Sequence, residues 1–174
     1  HYPKSGFVGD IFTVNGKAYP VLHVKPRRYR FRFLGASIAR CYELSLRFAP
    51  NSDVGTGVTG VGVFPGLQGQ WNFATKSKNG VISRTAGTLA KTSDGKPAML
   101  QIASDGGLLK NAIYRDAIQI WPAKRREVII DFSDPALKGK TLYLVNSMLQ
   151  LDGKKPTFAG VKGFDPNYAI PLIK

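Results

Sequence analysis

The stretch that decides the fold is Arg28-Tyr29-Arg30-Phe31-Arg32-Phe33. Every second residue is aromatic and every other one is arginine, which is the period of a β-strand and not that of a helix. Such a strand turns its aromatic rings to a core and its guanidinium groups to the opposite face. After a turn at residues 35–37, the stretch 42–48 alternates in the same way. Two consecutive amphipathic strands predict a sheet with one apolar face.

Further strands are predicted on both sides of this pair. Upstream, Asn15-Gly16 is the strongest two-residue signal for a β-hairpin, with strands expected at 11–14 and 18–24. Downstream, short apolar runs between turn residues predict strands at 99–103, 113–121, 126–132, 141–146 and 169–173. Many short strands joined by turns are typical of an all-β Greek-key sandwich or barrel.

Two of the connecting turns are predicted from their own residues. In Asp105-Gly106-Gly107 the carboxylate is expected to accept backbone N–H bonds while the glycines take positive φ. In residues 133–139 a capping side chain, an early proline and a final glycine predict one helical turn.

A long, loop-rich segment interrupts the strand pattern between about residues 50 and 97. It carries one expected apolar anchor at Trp71-Asn72-Phe73 and one expected hairpin around Lys78-Asn79-Gly80. Residues 55–60 match the glycine pattern of dinucleotide-binding proteins, but the residues that follow cannot form the helix that this chemistry requires. We predict one domain over residues 1–174, a piece of a larger protein, with an insertion at about 50–97.

The chain is strongly basic, with 25 Lys and Arg residues against 11 Asp and Glu residues and a net charge of +14. Such a balance attracts nucleic acid, anionic surfaces or an acidic neighbouring domain. The basic cluster around the first long strand consists of Arg27, Arg28, Arg30, Arg32 and Arg40. Nucleic-acid surfaces combine arginines with exposed aromatic rings, whereas the rings here point to the core. An anion-binding or inter-domain face is therefore predicted, and nucleic acid is not the favoured partner.

Metal ligands are scarce in this chain. It has two histidines, His1 and His23, and one cysteine, Cys41. A blue-copper site takes two histidines and a cysteine, with a weak axial ligand such as Met99 or Met148, and the sequence has no His-x-His pair. We therefore predict no metal site and no catalytic residue here. No apolar run reaches the roughly 18 residues of a membrane span, so no membrane partner is predicted.

The ordered set of motifs resembles the second, middle domain of multicopper oxidases of the spore coat protein A, bilirubin oxidase and phenoxazinone synthase types. The resemblance covers residues 9–48 and 99–146, although Gly35 stands where that family usually has asparagine or aspartate. The structural-motif residues that carry it are Asn15, Gly16, Arg28, Arg30, Arg32, Asp105, Gly106, Gly107, Arg125, Glu127 and Asp131, and Asn146 follows them.

The resemblance implies a cupredoxin-like Greek-key sandwich that holds no copper of its own. In such oxidases the flanking cupredoxin domains carry the copper, and the middle domain is a scaffold between them. The parent enzyme is then a laccase-like oxidoreductase that couples substrate oxidation to the reduction of oxygen to water, and this fragment alone is expected to be inactive. A secreted, periplasmic or cell-surface location is expected for the parent.

The residues leave two other functions open. The first is a basic β-sandwich that binds polyanions or nucleic acid through its arginine face. The second is a structural domain whose parent has lost the oxidase chemistry. The parent gene distinguishes these functions, because a copper oxidase requires flanking segments with His-x-His pairs and a His-Cys-His stretch.

Overall fold

The computed structural model describes residues 6, 11–48, 74–76, 82–84, 88–148, 150, 153 and 170–173. Within these ranges all regular secondary structure is β-strand and every strand pairing is antiparallel. The strands are β1 (Thr13–Val14), β2 (Lys17–Ala18), β3 (Arg28–Leu34), β4 (Tyr42–Phe48), β5 (Ala74–Lys76), β6 (Ile82–Arg84), β7 (Thr88–Leu89), β8 (Met99–Ser104), β9 (Gly107–Arg115), β10 (Ile118–Ile120), β11 (Arg125–Asp131), β12 (Leu142–Asn146) and β13 (Ile170–Ile173).

Two of the four sheets in the described residues form the sandwich, and the hairpins β1-β2 and β5-β6 are separate two-stranded sheets. The first has the order β3-β11-β8-β9, and β3 pairs with β11 along its whole length. In the second sheet β4 pairs with β12, β10 and β7, and β13 extends the sheet beyond β12. The chain passes from one of these two sheets to the other between β3 and β4, between β7 and β8, and at each step from β9 to β12. This architecture confirms the predicted cupredoxin-like β-sandwich.

The core fills the space between the two sheets. Met99, Val128 and Ile130 enter it from the first sheet, and Leu44 and Leu144 enter it from the second; all five are buried. Full burial of an aliphatic side chain of this size is worth about 1.5–3 kcal/mol. The alternation over residues 42–48 therefore predicted the inward position of Leu44, whereas the strands of the other four residues were predicted from apolar runs.

Strand β3 has the predicted orientation, with its arginines on the exposed face and its aromatic rings on the other. The rings of Tyr29, Phe31 and Phe33 are only half-buried, however, whereas complete burial was expected. An apolar cavity adjoins Phe31 and Phe33, so the two sheets do not close over this strand.

The second sheet is buried on both faces at its centre. Leu44 and Leu46 point to the core, and Ser45 between them is also inaccessible to solvent. The same holds for Val145 in the neighbouring strand β12. The alternation of polar and apolar residues in β4 predicted one solvent-exposed face, and the structure differs because this face too is covered.

The first hairpin is confirmed, but its second strand is shorter than predicted. Asn15 and Gly16 have φ of 50° and 78°, the positive values that a two-residue hairpin turn of this type needs. Strand β2 ends at Ala18, because Tyr19 also takes a positive φ of 49° and turns the chain away from the sheet. The predicted strand over 18–24 was therefore wrong beyond its first residue.

The predicted strand over 113–121 was also wrong, since the structure has two strands in two sheets there. Strand β9 ends at Arg115 on the first sheet, and β10 starts at Ile118 on the second. Residues of β9 are mostly exposed, while Ile118 and Ile120 are buried. The chain crosses between the layers at residues 116–117, a change that an apolar run does not reveal.

The turn at residues 133–139 confirms the predicted single helical turn, which does not extend into a helix. The Asp134 carbonyl accepts hydrogen bonds from Leu137 N (2.9 Å) and Lys138 N (2.8 Å), but the pattern does not continue. The Asp134 carboxylate caps the turn by accepting the N–H of Ala136 at 2.8 Å, and Gly139 closes it with φ of 71°, as predicted. This single turn therefore caps its own first backbone N–H groups and also buries the side chain of Leu137.

Part of the predicted insertion belongs to the sandwich. Strand β7 pairs with Arg47 and Phe48 at the end of β4, and Ala90 after it is buried. The pairing of β5 with β6 confirms the predicted hairpin, whose turn at Lys78-Asn79-Gly80 lies outside the described residues. The glycine-rich run at 55–60 and the expected anchor at 71–73 lie outside them as well.

Candidate functional site

The arginine face of the first sheet is a paired surface. Arg28 Nε donates to Asp131 Oδ2 at 2.7 Å, and Arg30 Nε donates to Glu127 Oε2 at 2.7 Å. Strands β3 and β11 bring these motif residues together across about a hundred positions of sequence, and Arg28 lies directly opposite Asp131 in the register. The carboxylates of β11 therefore neutralise two of the three guanidinium groups on the outer face.

Hydrogen bonds at the Arg28–Asp131 ion pair shift the pKa values of both residues. The hydroxyl and backbone N–H of Ser133, together with the Arg28 guanidinium, hold the pKa of Asp131 below its usual value. The hydrogen bond to Asp131 raises the pKa of Arg28 in turn. Both shifts favour the charged forms, so the Arg28–Asp131 pair stays ionised at neutral pH.

The other arginines of the predicted face have different environments. Arg32 is exposed and forms no ion pair within the described part of the chain. Arg27 lies over the ring of Tyr29, with 5.1 Å from its guanidinium carbon to the ring centroid. Arg40 is only 7% exposed and lies over Phe12 at 4.7 Å, so it is not part of an exposed face. The predicted cluster of five arginines is thus reduced to four exposed residues, two of them neutralised.

The turn between β8 and β9 is tied to the start of β11 by Asp105. Its Oδ1 accepts the N–H of Arg125 at 3.1 Å, as predicted for this carboxylate, and its Oδ2 forms an ion pair with Lys124. Arg125 Nη2 donates back to the Asp105 carbonyl at 2.9 Å. Bonds from Lys124 and the Arg125 backbone lower the pKa of Asp105 to about 2.

The glycines of this turn differ from the prediction. Asp105 itself takes the positive φ, 57°, and neither Gly106 nor Gly107 does. Aspartate tolerates the left-handed region because its short side chain bonds locally, and here that side chain also binds the next connection. The motif residues Asp105 and Arg125 therefore have a structural role that sequence spacing did not reveal.

Of the candidate copper donors, His1 lies outside the described residues, and neither Cys41 nor His23 belongs to a group of three possible ligands within them. Cys41 is buried, its N–H donates to Gln150 Oε1 at 2.8 Å, and burial raises the pKa of its thiol. A copper ligand must be the thiolate, so this environment disfavours ligation. His23 is exposed, whereas Met99 and Met148 are buried. No group of three His, Cys, Asp or Glu residues in the described part of the chain is arranged to hold a metal.

One end of the sandwich carries exposed apolar side chains that the sequence analysis missed. Leu34 ends β3, and Ile38 lies in the loop that follows; they are 61% and 80% exposed. Trp121 lies beside Gly35 at the same end, and Leu108 (79% exposed) follows the Asp105 turn there. The alternation of β3 continues through Leu34, so this residue at least was identifiable as outward-facing.

A helix capable of crossing a membrane does not occur in the ranges that the structure describes.

Comparisons with known proteins agree with this architecture, although no family model matches the chain. A laccase of Bacillus stratosphericus is 34% identical over 141 residues, which is 81% of this chain and 18% of the laccase. A bilirubin oxidase of Albifimbria verrucaria is 31% identical over 142 residues, covering 82% of this chain and 17% of that protein. The chain thus spans less than a fifth of the length of these curated relatives.

A solved structure shares the fold. The McoA multicopper oxidase variant 2F4 from Aquifex aeolicus superposes on 99% of this chain with a TM-score of 0.57 and 20% sequence identity. The matched region is 26% of that protein. The likeness shows the sandwich fold in a chain about four times as long.

Proposed function

Because this chain belongs to the multicopper oxidase family, we propose that it is the copper-free middle domain of a larger laccase-like oxidoreductase. In this proposal the domain is a scaffold between flanking cupredoxin domains of the same parent chain, and those domains hold the copper. The parent couples the oxidation of phenols, bilirubin-like pigments or metal ions to the reduction of oxygen to water. It is secreted, periplasmic or at the cell surface.

The donor chemistry of the described residues carries this proposal. Type 1 copper takes two histidines and a thiolate, while Cys41 is a buried thiol beside Gln150 and Arg40. The only histidine among the described residues, His23, is exposed on the loop before β3. The described residues do not fit a copper centre, which supports our proposal that the oxidase chemistry of the parent lies in its other domains.

The apolar end of the sandwich supports the scaffold role. Four large apolar residues are exposed where the sheet ends, which is the composition of a surface buried by a partner. The four residues are Leu34, Ile38, Leu108 and Trp121. An interface between domains of one chain is more polar than a core, and the Asp105–Lys124 ion pair at this end fits that description.

A copper titration of the isolated chain tests the proposal. We expect Cu(I) loading followed by oxidation to give no intense blue thiolate-to-copper band and no oxygen consumption with a phenolic substrate. The parent enzyme, which includes the flanking domains, is the positive control. A blue band that appears in this chain and disappears in Cys41→Ser would show that the domain holds type 1 copper and would overturn the proposal.

One substitution, made both in the isolated chain and in the parent enzyme, tests the interface. Ile38→Asp is expected to leave the thermal stability of the isolated chain unchanged, because Ile38 is 80% exposed there. The same substitution is expected to lower the melting temperature of the parent by several degrees, since it buries a charge between domains. Asn111→Asp, on the exposed strand β9, is the matched control and should be neutral in both. An unchanged parent would place the interface elsewhere.

A further inference from the structure

An apolar cavity of about 370 Å³ opens between the two sheets beside β3. One wall is aromatic. Phe31 and Phe33 lie nearly parallel, with centroids 6.2 Å apart and 27° between their planes, and Phe132 meets Phe31 edge-on at 6.2 Å. The opposite wall is aliphatic and includes Leu46 and Leu144 from the second sheet. Two sheets that pack closely elsewhere therefore leave a slot lined by three phenylalanine rings.

Two loops, residues 21–24 and 139–141, add to the lining, and Ile130, Leu142 and Ile173 complete it from the strands. Val21 and Leu22 are about half exposed, so apolar surface extends outward from the slot. The polar side chains among the lining residues are His23, Lys140 and Thr141, all exposed. Lys140 supplies an ammonium group. The site therefore combines an apolar interior with one cation near solvent.

The size and the lining define the ligand. A cavity of about 150 Å³ is large enough for benzene, so a space of about 370 Å³ suits two or three aromatic rings. Aromatic molecules gain from offset-stacked and edge-to-face contacts with phenylalanine rings, and both geometries are present among the three phenylalanines. A negative group on such a molecule is complementary to the ammonium group of Lys140.

We propose that the slot between β3 and the second sheet binds a flat aromatic molecule of two or three rings, with an anionic substituent at Lys140. The lining shares no residue with the proposed domain interface. The site stands on the geometry of this domain alone, whatever the activity of the parent.

Two probes of the same ring system test the site in the purified chain. 1-Anilinonaphthalene-8-sulfonate carries the anion, and N-phenyl-1-naphthylamine lacks it. For about twenty heavy atoms we expect one saturable site with Kd on the order of 10 µM for the sulfonate. The sulfonate should also raise the melting temperature, because a ligand that binds only the folded state stabilises it. A lowered melting temperature, or the absence of saturable one-to-one binding, would overturn the proposal.

Variants then separate the two parts of the site. Val24→Trp fills the slot and is expected to weaken both probes at least tenfold, whereas Ile38→Trp adds the same ring at a distant exposed position and should change neither. Lys140→Met is expected to weaken the sulfonate about threefold and leave the neutral probe unchanged. Lys138→Met, which removes a nearby charge outside the lining, should have no effect on either probe.

The variants must fold for these comparisons to count, which near-ultraviolet circular dichroism verifies. If Val24→Trp loses its tertiary signal, Thr141→Trp fills the slot from the other loop and takes its place. Undiminished binding in a folded slot-filling variant would show that the probes bind elsewhere and would overturn the proposed site. Equal loss of both probes in Lys140→Met would overturn the role assigned to the cation.

Discussion

The backbone of Gly35 lies against Trp121 so closely that a Cβ built on the glycine would stand 2.1 Å from the Trp121 carbonyl oxygen. Two backbone hydrogen bonds hold this approach: Gly35 N–H donates to Lys124 O at 2.9 Å, and Ala123 N–H donates to Gly35 O at 2.8 Å. The end of β3 and the connection from β10 to β11 are therefore joined at a position that has no room for a side chain. The asparagine or aspartate usual in the family does not fit here without a backbone shift.

The first prediction concerns this contact. Gly35→Ala is expected to lower the free energy of unfolding by about 2–3 kcal/mol, because backbone has to move to admit the methyl group. Urea unfolding of the purified chain measures the change. Gly106→Ala is the matched control: nothing lies within 4 Å of its Cβ position and its φ is not positive, so that variant should be neutral or slightly more stable. Equal stability of both variants would contradict the close approach.

The second prediction concerns Asn146, whose amide is fully buried. Its Oδ1 accepts the N–H of Glu43 at 3.0 Å and that of Met148 at 3.2 Å, and its Nδ2 donates to Met148 O at 3.2 Å. Asn146→Ala leaves these backbone groups unsatisfied and is expected to cost about 2–4 kcal/mol of unfolding free energy. Asn111→Ala, on an exposed strand, is the control and should change stability by less than about 0.5 kcal/mol.

The third prediction concerns acid stability. The folded-state pKa of Asp105 is lowered to about 2 by Lys124 and the Arg125 backbone. A carboxyl group whose pKa falls on folding stabilises the folded chain at pH values above its unfolded pKa, which is near 4. This stabilisation is lost as the pH falls from about 4 through about 2. Asp105→Asn keeps a residue that tolerates positive φ but removes the charge. The free energy of unfolding of this variant should lie below that of the wild type at pH 7 and converge with it near pH 2. Parallel curves of unfolding free energy against pH would contradict the prediction.

The fourth prediction addresses polyanion binding. Arg28 and Arg30 are already paired with acidic residues, so the triple variant Arg28→Ala, Arg30→Ala, Arg32→Ala should elute from heparin at the same salt concentration as a variant that loses three other cations. The control substitutions to alanine are at Lys91, Lys110 and Lys138, which are all exposed.

A selective effect of the arginines would reverse this conclusion. Each phosphate contact contributes about 0.9 to the slope of log affinity against log salt. If the arginine variant alone showed a lower slope with DNA, the outer face of β3 would be a polyanion site. The function of this face would then be polyanion binding and not that of a scaffold.

Local sequence determined the strands and their faces. The alternation of Arg28 to Phe33 needs only the two-residue period of a strand to separate guanidinium groups from rings, and the structure confirms that separation. Asn15-Gly16 likewise determined its own turn, because φ above zero at two successive residues is a preference of those residues themselves. The family resemblance rested on such local motifs in their order along the chain.

Tertiary structure decided what each face contacts. Pairing with β11 neutralises Arg28 and Arg30, and burial over Phe12 removes Arg40 from the predicted arginine face. The same non-local packing closes the outer side of β4 over Ser45 and leaves the slot beside Phe31 open. Dihedral preference and side-chain period act over a few residues, whereas a partner on another strand is chosen by the packing of two whole sheets, and no local pattern carries that information.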